Sequence, residues 1–194
     1  VPYRPADVRV PAYLPDTPAS RAELAEYYQA VSRLDQGVGR LRRILHEAGR
    51  REDTLVIYLS DNGVAFPGAK TTLYDPGIRL PLIVRAPGHR RPGSTQKAMV
   101  TWADVTPTLL DVAGAAKPTK MQGRILFGDR AEPARDVAFG ARDRCDETVF
   151  RLRTVRDARY RYIRNFTPER PFLQANDYKE RQYPVWSLIK ELGA

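Results

Sequence analysis

The segment Thr54-Leu-Val-Ile-Tyr-Leu-Ser-Asp61-Asn62-Gly63-Val-Ala-Phe-Pro-Gly-Ala-Lys70-Thr-Thr-Leu-Tyr74-Asp75-Pro76-Gly77-Ile-Arg79-Leu-Pro81 decides the fold. Leu55 to Leu59 is an apolar run of strand length, the pattern of a strand buried on both faces of a parallel sheet. It ends at Asp61-Asn62-Gly63, where open α/β sheets carry their ligands. A carboxylate and an amide oxygen there suit a hard cation such as calcium or magnesium. Lys70 follows a short loop containing Pro67 and Gly68, so its ammonium is expected beside the carboxylate. A metal next to a lysine suits a tetrahedral oxyanion. Asp-Asn-Gly is equally a common turn sequence, and the tripeptide alone leaves both readings open.

The wider context adds a resemblance. Ser60-Asp61-Asn62-Gly63, then Lys70, then Tyr74-Asp75-Pro76-Gly77-Ile78-Arg79-Leu80-Pro81 and a second apolar strand ending at Ala86-Pro87-Gly88, resemble the second half of the sulfatase family. That family shows Ser-Asp-Asn-Gly at a strand end, a basic residue, and Tyr-Glu-Gly-Gly-x-Arg-x-Pro. Here Asp75-Pro76 stands in place of Glu-Gly. The likeness is strongest to the sulfamidase-like branch, in which a Phe-Pro loop separates Asp-Asn-Gly from the basic residue. Arg33 to Gly39 resembles the helix before the metal strand, with Asp35 in a structural role, and Asp104 to Gly114 resembles the Asp-x-x-Pro-Thr-Leu-Leu helix.

The resemblance implies an α/β, alkaline-phosphatase-like sulfatase fold, present in part. It would have a central, mostly parallel sheet with helices and a small C-terminal antiparallel sheet. Residues 1–115 would be the C-terminal portion of the catalytic domain and residues 116–194 a small α+β subdomain. Asp61 and Asn62 would be metal ligands for Ca2+, with Mg2+ as the alternative. Lys70 would be the catalytic cation on a sulfate oxygen. Arg142-Asp143-Arg144-Cys145-Asp146-Glu147 is similar to a charged run near the substrate pocket of bacterial sulfatases, making Arg142, Asp143 and Glu147 substrate-binding candidates beside Lys70. The same loop reads equally well as a salt-bridged surface corner.

Sulfatases make their formylglycine nucleophile from the cysteine of a Cys-x-Pro-x-Arg type motif. Cys145 is followed by Asp146, Glu147, Thr148 and Val149, so it lacks the proline and the arginine and reads as a small, partly buried residue. Formylglycine and the remaining ligands are therefore expected in an N-terminal part upstream of Val1, the chain being a piece that is inactive alone. His46 and His89 match no catalytic position and read as surface residues.

Composition narrows the partners. The chain has 194 residues, 42% of them hydrophobic, enough for one sizeable core. No apolar run approaches the roughly 18 residues of a membrane helix. Lys and Arg number 32 against 23 acids, a net charge of +9 that favours an acidic ligand or polyanion. A sulfated small molecule or glycan is the expected substrate, and the N-terminal half of the same protein the expected partner. Neither a nucleic acid nor a membrane is expected, and a homo-oligomer is left open. By resemblance the compartment is periplasmic, secreted or lysosomal. Two other readings compete. One is a phosphodiesterase or phosphonate hydrolase of the same superfamily, against which Asn62 argues. The other is a basic nucleic-acid-binding module, motivated by Arg151 to Arg164 interleaved with Phe150, Tyr160, Tyr162 and Phe166.

Local patterns predict the elements. Thr17-Pro18 opens a helix whose stripe Leu24, Tyr27, Val31, Leu34, Val38, Leu41 and Leu45 runs to a stop at Gly49. Gly37 and Gly39 inside it suggest close approach to a sheet. Strands are expected at 80–85, 97–102, 137–141, 149–155 and 159–163. The last two would form a hairpin whose tyrosines could face a core, and a terminal helix is expected at 185–192.

Overall fold

A computed structural model describes residues 2–88, 92–145 and 147–193. His89 with most of its basic loop, and Asp146 of the charged run, lie outside the described residues. The chain groups into two compact units: residues 1–92, 142–151 and 166–194, and residues 93–141 and 152–165. The division at 115/116 remains a proposal about domains.

In the first unit, α1 spans Pro18–Glu47. Thr17 caps it by accepting the Ser20 N–H at 3.2 Å, and Pro18 occupies the first turn, where a missing N–H costs nothing. Gly49 ends it at φ +68°, and the Arg50 N–H closes on the Leu45 carbonyl at 2.9 Å. The apolar stripe divides in two. Leu24 and Ala25 are buried with Val8, Leu14, Phe66 and Val185, and Tyr27 packs edge-on against Phe66. Val31, Leu34, Leu41 and Ile44 are 44% to 64% exposed. Around Gly37 and Gly39 a Cβ would meet nothing within 4 Å, so among the described residues these glycines mark no close approach to a sheet. Asp35 and His46 are exposed on the same half of the helix.

Strand β1, Val56–Leu59, pairs with β2, Leu82–Arg85, in a two-stranded antiparallel sheet with Val56 opposite Arg85 and Leu59 opposite Leu82. This corrects the expectation that the Leu55 to Leu59 strand lies in a parallel sheet and is buried on both faces. A parallel neighbour needs a crossover that carries the chain back to the same end. Here the connection from Ser60 to Pro81 holds only the short helical turn α2, Asp75–Ile78, and delivers the chain to the opposite strand direction. All of β1 is half-buried. The predicted strand at 80–85 begins two residues late; Pro81, lacking an N–H, offers its carbonyl to the Ser60 N–H.

In the second unit the strand predicted at 97–102 is absent among the described residues; Met99 makes an isolated bridge to Arg135. Thr101 begins a capping box with Asp104, which turns the chain into a 3-10 turn at Trp102–Asp104 and then α3, Val105–Val112. Asp104 is fully buried and saturated. Its carboxylate accepts the Thr101 N–H at 2.8 Å and the Arg124 N–H at 2.7 Å, and it forms a two-pronged ion pair with Arg135. Thr108, also buried, donates to the Asp104 carbonyl at 2.6 Å and accepts the Leu126 N–H at 3.0 Å.

Strands β3 (Ala138–Cys145), β4 (Thr148–Arg156) and β5 (Arg161–Asn165) form a three-stranded sheet in that order, with β4 and β5 antiparallel. The β4–β5 turn is held by Asp157, whose carboxylate accepts the Arg159 N–H at 2.7 Å and the Tyr160 N–H at 2.5 Å. Tyr160 and Tyr162 are 62% and 64% exposed, so the hairpin tyrosines do not face a core. The tail adds two helices, α4 at Asp177–Gln182, which periodicity did not predict, and α5 at Pro184–Glu191.

The Asp104 cluster makes stability pH-dependent. Burial pushes its carboxyl upward, but Arg135 and the N–H groups of Thr101 and Arg124 outweigh that and hold it below the ordinary carboxylate range. The unfolded chain therefore binds more protons than the folded one between the two values. Stability present above about pH 4 is lost as pH falls through the folded value. Urea midpoints recorded from pH 7 downward are expected to show this fall. Asp104→Asn is expected to flatten that limb and to cost about 3–5 kcal/mol at neutral pH by leaving Arg135 unpaired.

Candidate functional site

The connection from Ser60 to Pro81 is packed by its own side chains, with Phe66, Ala69 and Leu73 buried. At its start the Ser60 hydroxyl donates to the Asn62 carbonyl at 2.7 Å, and Asn62 Nδ2 donates to Asp61 Oδ1 at 2.7 Å. Asp61 is exposed and Asn62 half-exposed. The two polar heads therefore meet at the end of β1. Turning the Asn62 amide over would present a carboxylate and an amide oxygen to one cation. That donor chemistry fits a hard divalent ion, as two of the six to eight oxygens that calcium takes. Among the described residues no group of three or more His, Cys, Asp and Glu is placed to hold a metal.

Two close backbone approaches seat α2, one against this turn and one against the middle of the loop. A Cβ on Gly63 would overlap the Pro76 carbonyl oxygen and come within 2.7 Å of the Gly77 Cα. A Cβ on Gly77 would overlap the Thr72 and Ala69 carbonyl oxygens. Only glycine permits either approach. Within the loop, the Lys70 N–H donates to the Val64 carbonyl at 3.0 Å, and the Thr72 hydroxyl bonds to the Gly68 and Ala69 carbonyls.

Lys70 lines a cleft together with Thr71, Arg142, Cys145, Asn176, Lys179 and Trp186, all within the first unit. Arg142 also stacks on the Phe150 ring at 4.9 Å. Lys70 and Arg142 are thus brought to one cleft. Asp143 and Glu147 are exposed and do not line it, and Asp61 and Asn62 lie outside its lining. Sequence reading assigned nothing to Asn176 or Lys179. Asn176 is buried and caps α4 by accepting the Lys179 N–H at 2.8 Å, and its amide reaches Cys145 Sγ at 3.8 Å. The available signal was Asn176-Asp177 ahead of a short polar helix.

Comparison with known proteins decides the family. Residues 3–115 match the Sulfatase family and residues 68–180 match "N-sulphoglucosamine sulphohydrolase, C-terminal". The chain belongs to the sulfatase family. This sulfatase chain is 39% identical over 188 residues to human N-sulphoglucosamine sulphohydrolase, covering 91% of the chain and 38% of that protein. It is 31% identical over 181 residues to an ulvan-active sulfatase of Formosa agariphila, covering 93% of the chain and 30% of that protein. The chain thus spans well under half the length of either relative.

Two solved structures share its fold. One, determined with its substrate D-glucosamine-2-N,6-O-disulfate, aligns with TM-score 0.63 and 23% identity over 92% of this chain and 42% of its own. The other, a Bacteroides fragilis protein described as a sulfatase candidate, aligns with TM-score 0.67 and 22% identity over 93% and 44%. The expected alkaline-phosphatase-like sulfatase architecture therefore holds, although the β1–β2 pair is antiparallel.

The contact at Gly63 generates a test. Gly63→Ala is expected to lower stability by about 1–3 kcal/mol, as overpacking does. Gly49→Ala, at a left-handed position with open space around it, is expected to cost about 1 kcal/mol through backbone strain alone. Guanidinium melts of the two variants check the order.

Proposed function

We propose that this chain is the C-terminal part of a sulfatase that hydrolyses sulfate esters or sulfamates on sugars. The observation that carries the reading is the Asp61–Asn62 pair at the end of β1, held in the same self-packed connection as Lys70. Lys70 and Arg142 share a cleft, which favours an anionic substrate.

In this reading Asp61 and Asn62 hold one side of a divalent cation, for which calcium is the proposal. When bound, that ion supplies Lewis-acid polarisation of the sulfate oxygens. Lys70 donates to a sulfate oxygen and offsets the charge that builds as the bond to sulfur breaks. Arg142 contributes a second cation on the sugar side, and Asp143 and Glu147 on the adjoining hairpin would read its outer hydroxyls. Family membership implies a formylglycine nucleophile, and we place it in a preceding part of the protein. The exposed apolar half of α1 supports a packing surface for such a part. No helix among the described residues is long and apolar enough to cross a membrane. We propose a periplasmic, secreted or lysosomal location from the family.

The reading is tested with full-length protein on an aryl sulfate and on glucosamine N-sulfate. Lys70→Ala is expected to lower kcat on the order of 100-fold, as loss of a transition-state donor does. Asp61→Ala is expected to abolish calcium-dependent turnover, while both variants keep the wild-type circular dichroism. The 194-residue chain alone is expected to turn over neither substrate. Wild-type rates in either variant, or turnover by the chain alone, would overturn the assignment.

A further inference from the structure

Lys179 is only 6% exposed, an unusual place for an ammonium group, since lysine is rarely buried without compensation. Its Nζ donates to the Thr71 hydroxyl at 2.7 Å and lies 4.9 Å from the centre of the Trp186 ring. Its backbone is anchored by the Asn176 cap. The Lys179 backbone is thus fixed at a helix start, while its ammonium lies against an aromatic face and reaches across to a residue far away in sequence.

That residue adjoins Lys70 and is unusual in its own right. Thr71 has φ +69°, and among the described residues it is the one non-glycine with positive φ. For a β-branched residue this conformation is strained and persists only where the surroundings enforce it. The enforcing contacts are distributed over three consecutive residues. Lys70 is fixed through its N–H to Val64, Thr72 through its hydroxyl to Gly68 and Ala69, and Thr71 by the Lys179 ammonium.

We propose that Lys179 is a positioning residue for Lys70, holding Thr71 in its left-handed turn so that the Lys70 side chain is directed into the cleft they both line. The proposal rests on the reading that Lys70 contacts the sulfate. It assigns to the C-terminal tail a part in the site that no motif in the tail announces. Strain at Thr71 fits this role, because a relaxed backbone there would release the residue that precedes it.

The test is a double-mutant cycle in full-length protein with Lys179→Met, Thr71→Val and the pair, read in two ways. By amide exchange, each single variant should speed exchange across residues 68–74 and leave α1 unchanged. By kinetics on a sulfated monosaccharide, each should lower kcat on the order of 100-fold with KM little altered, as misplacement of a transition-state group does. The double variant should be no worse than the poorer single one. Thr71→Val breaks the bond from the other side, so a failure of Lys179→Met to fold leaves the question decidable. Unchanged exchange at 68–74, additive losses, or a rise in KM at constant kcat would overturn the proposal. Absence of turnover in the wild type would instead contradict the sulfatase reading, while the exchange measurement still decides whether the tether holds the loop.

Discussion

The steric contact between the Gly63 turn and the Pro76-Gly77 backbone is the constraint on which the rest of the site depends. Two stretches of main chain from opposite ends of one connection meet with no room for a Cβ at Gly63, and Gly77 in turn packs as closely on the Ala69 and Thr72 carbonyls in the middle of the connection. Hairpin connections are ordinarily two to five residues, and much longer ones without extended secondary structure are commonly functional. This one behaves as a compact Ω-type loop whose interior is Phe66, Pro67, Ala69 and Leu73. Closing it at Gly63 and Gly77 fixes where Asp61 and Asn62 leave β1. The same closure sets the point from which Lys70 departs, because the Lys70 N–H is tied to Val64 inside the closed loop.

Two cations, the half-buried Arg135 and the buried Lys179, serve the structure in different ways. Arg135 meets a carboxylate with both prongs of its guanidinium, and the Asp104 oxygens it touches also take backbone N–H groups. Such an arrangement fixes the start of α3 and the course of the polar segment after it. Lys179 gives its ammonium to a hydroxyl and lies over an indole at the wall of a cleft. Lysine suits that place because its point charge sits on a flexible stem and needs no planar partner. The first cation stabilises a fold element, and the second acts on the shape of a loop that carries candidate chemistry.

Elements set by short-range rules were legible in the sequence. Thr17-Pro18 and Gly49 bound α1 where capping chemistry places them, and the Asp157 turn joins two strands close to their predicted limits. Features that depend on what packs where were not. The pattern of Leu55 to Leu59 cannot distinguish a parallel from an antiparallel partner, and only the direction of the returning chain decides it. Trp102 reads as strand by composition but is taken into a 3-10 turn by the Thr101–Asp104 box. Within the site, Asp61, Asn62 and Lys70 stood out because they lie close in sequence. Lys179 could not, since its partner Thr71 is reached only through the fold. Asp143 and Glu147 share a charged run with Arg142, yet both are exposed to solvent, and of these three only Arg142 lines the cleft.

Asp61, Asn62 and Lys70 are proposed to serve one sulfate site. The most direct measurement is a crystal structure of the full-length protein with calcium and a slowly hydrolysed sulfated sugar. Oxygens of Asp61 and Asn62 are expected to ligate the cation, with Lys70 Nζ about 2.7–3.2 Å from a sulfate oxygen. A sulfate bound away from Lys70, or a cation held without Asp61 and Asn62, would contradict it.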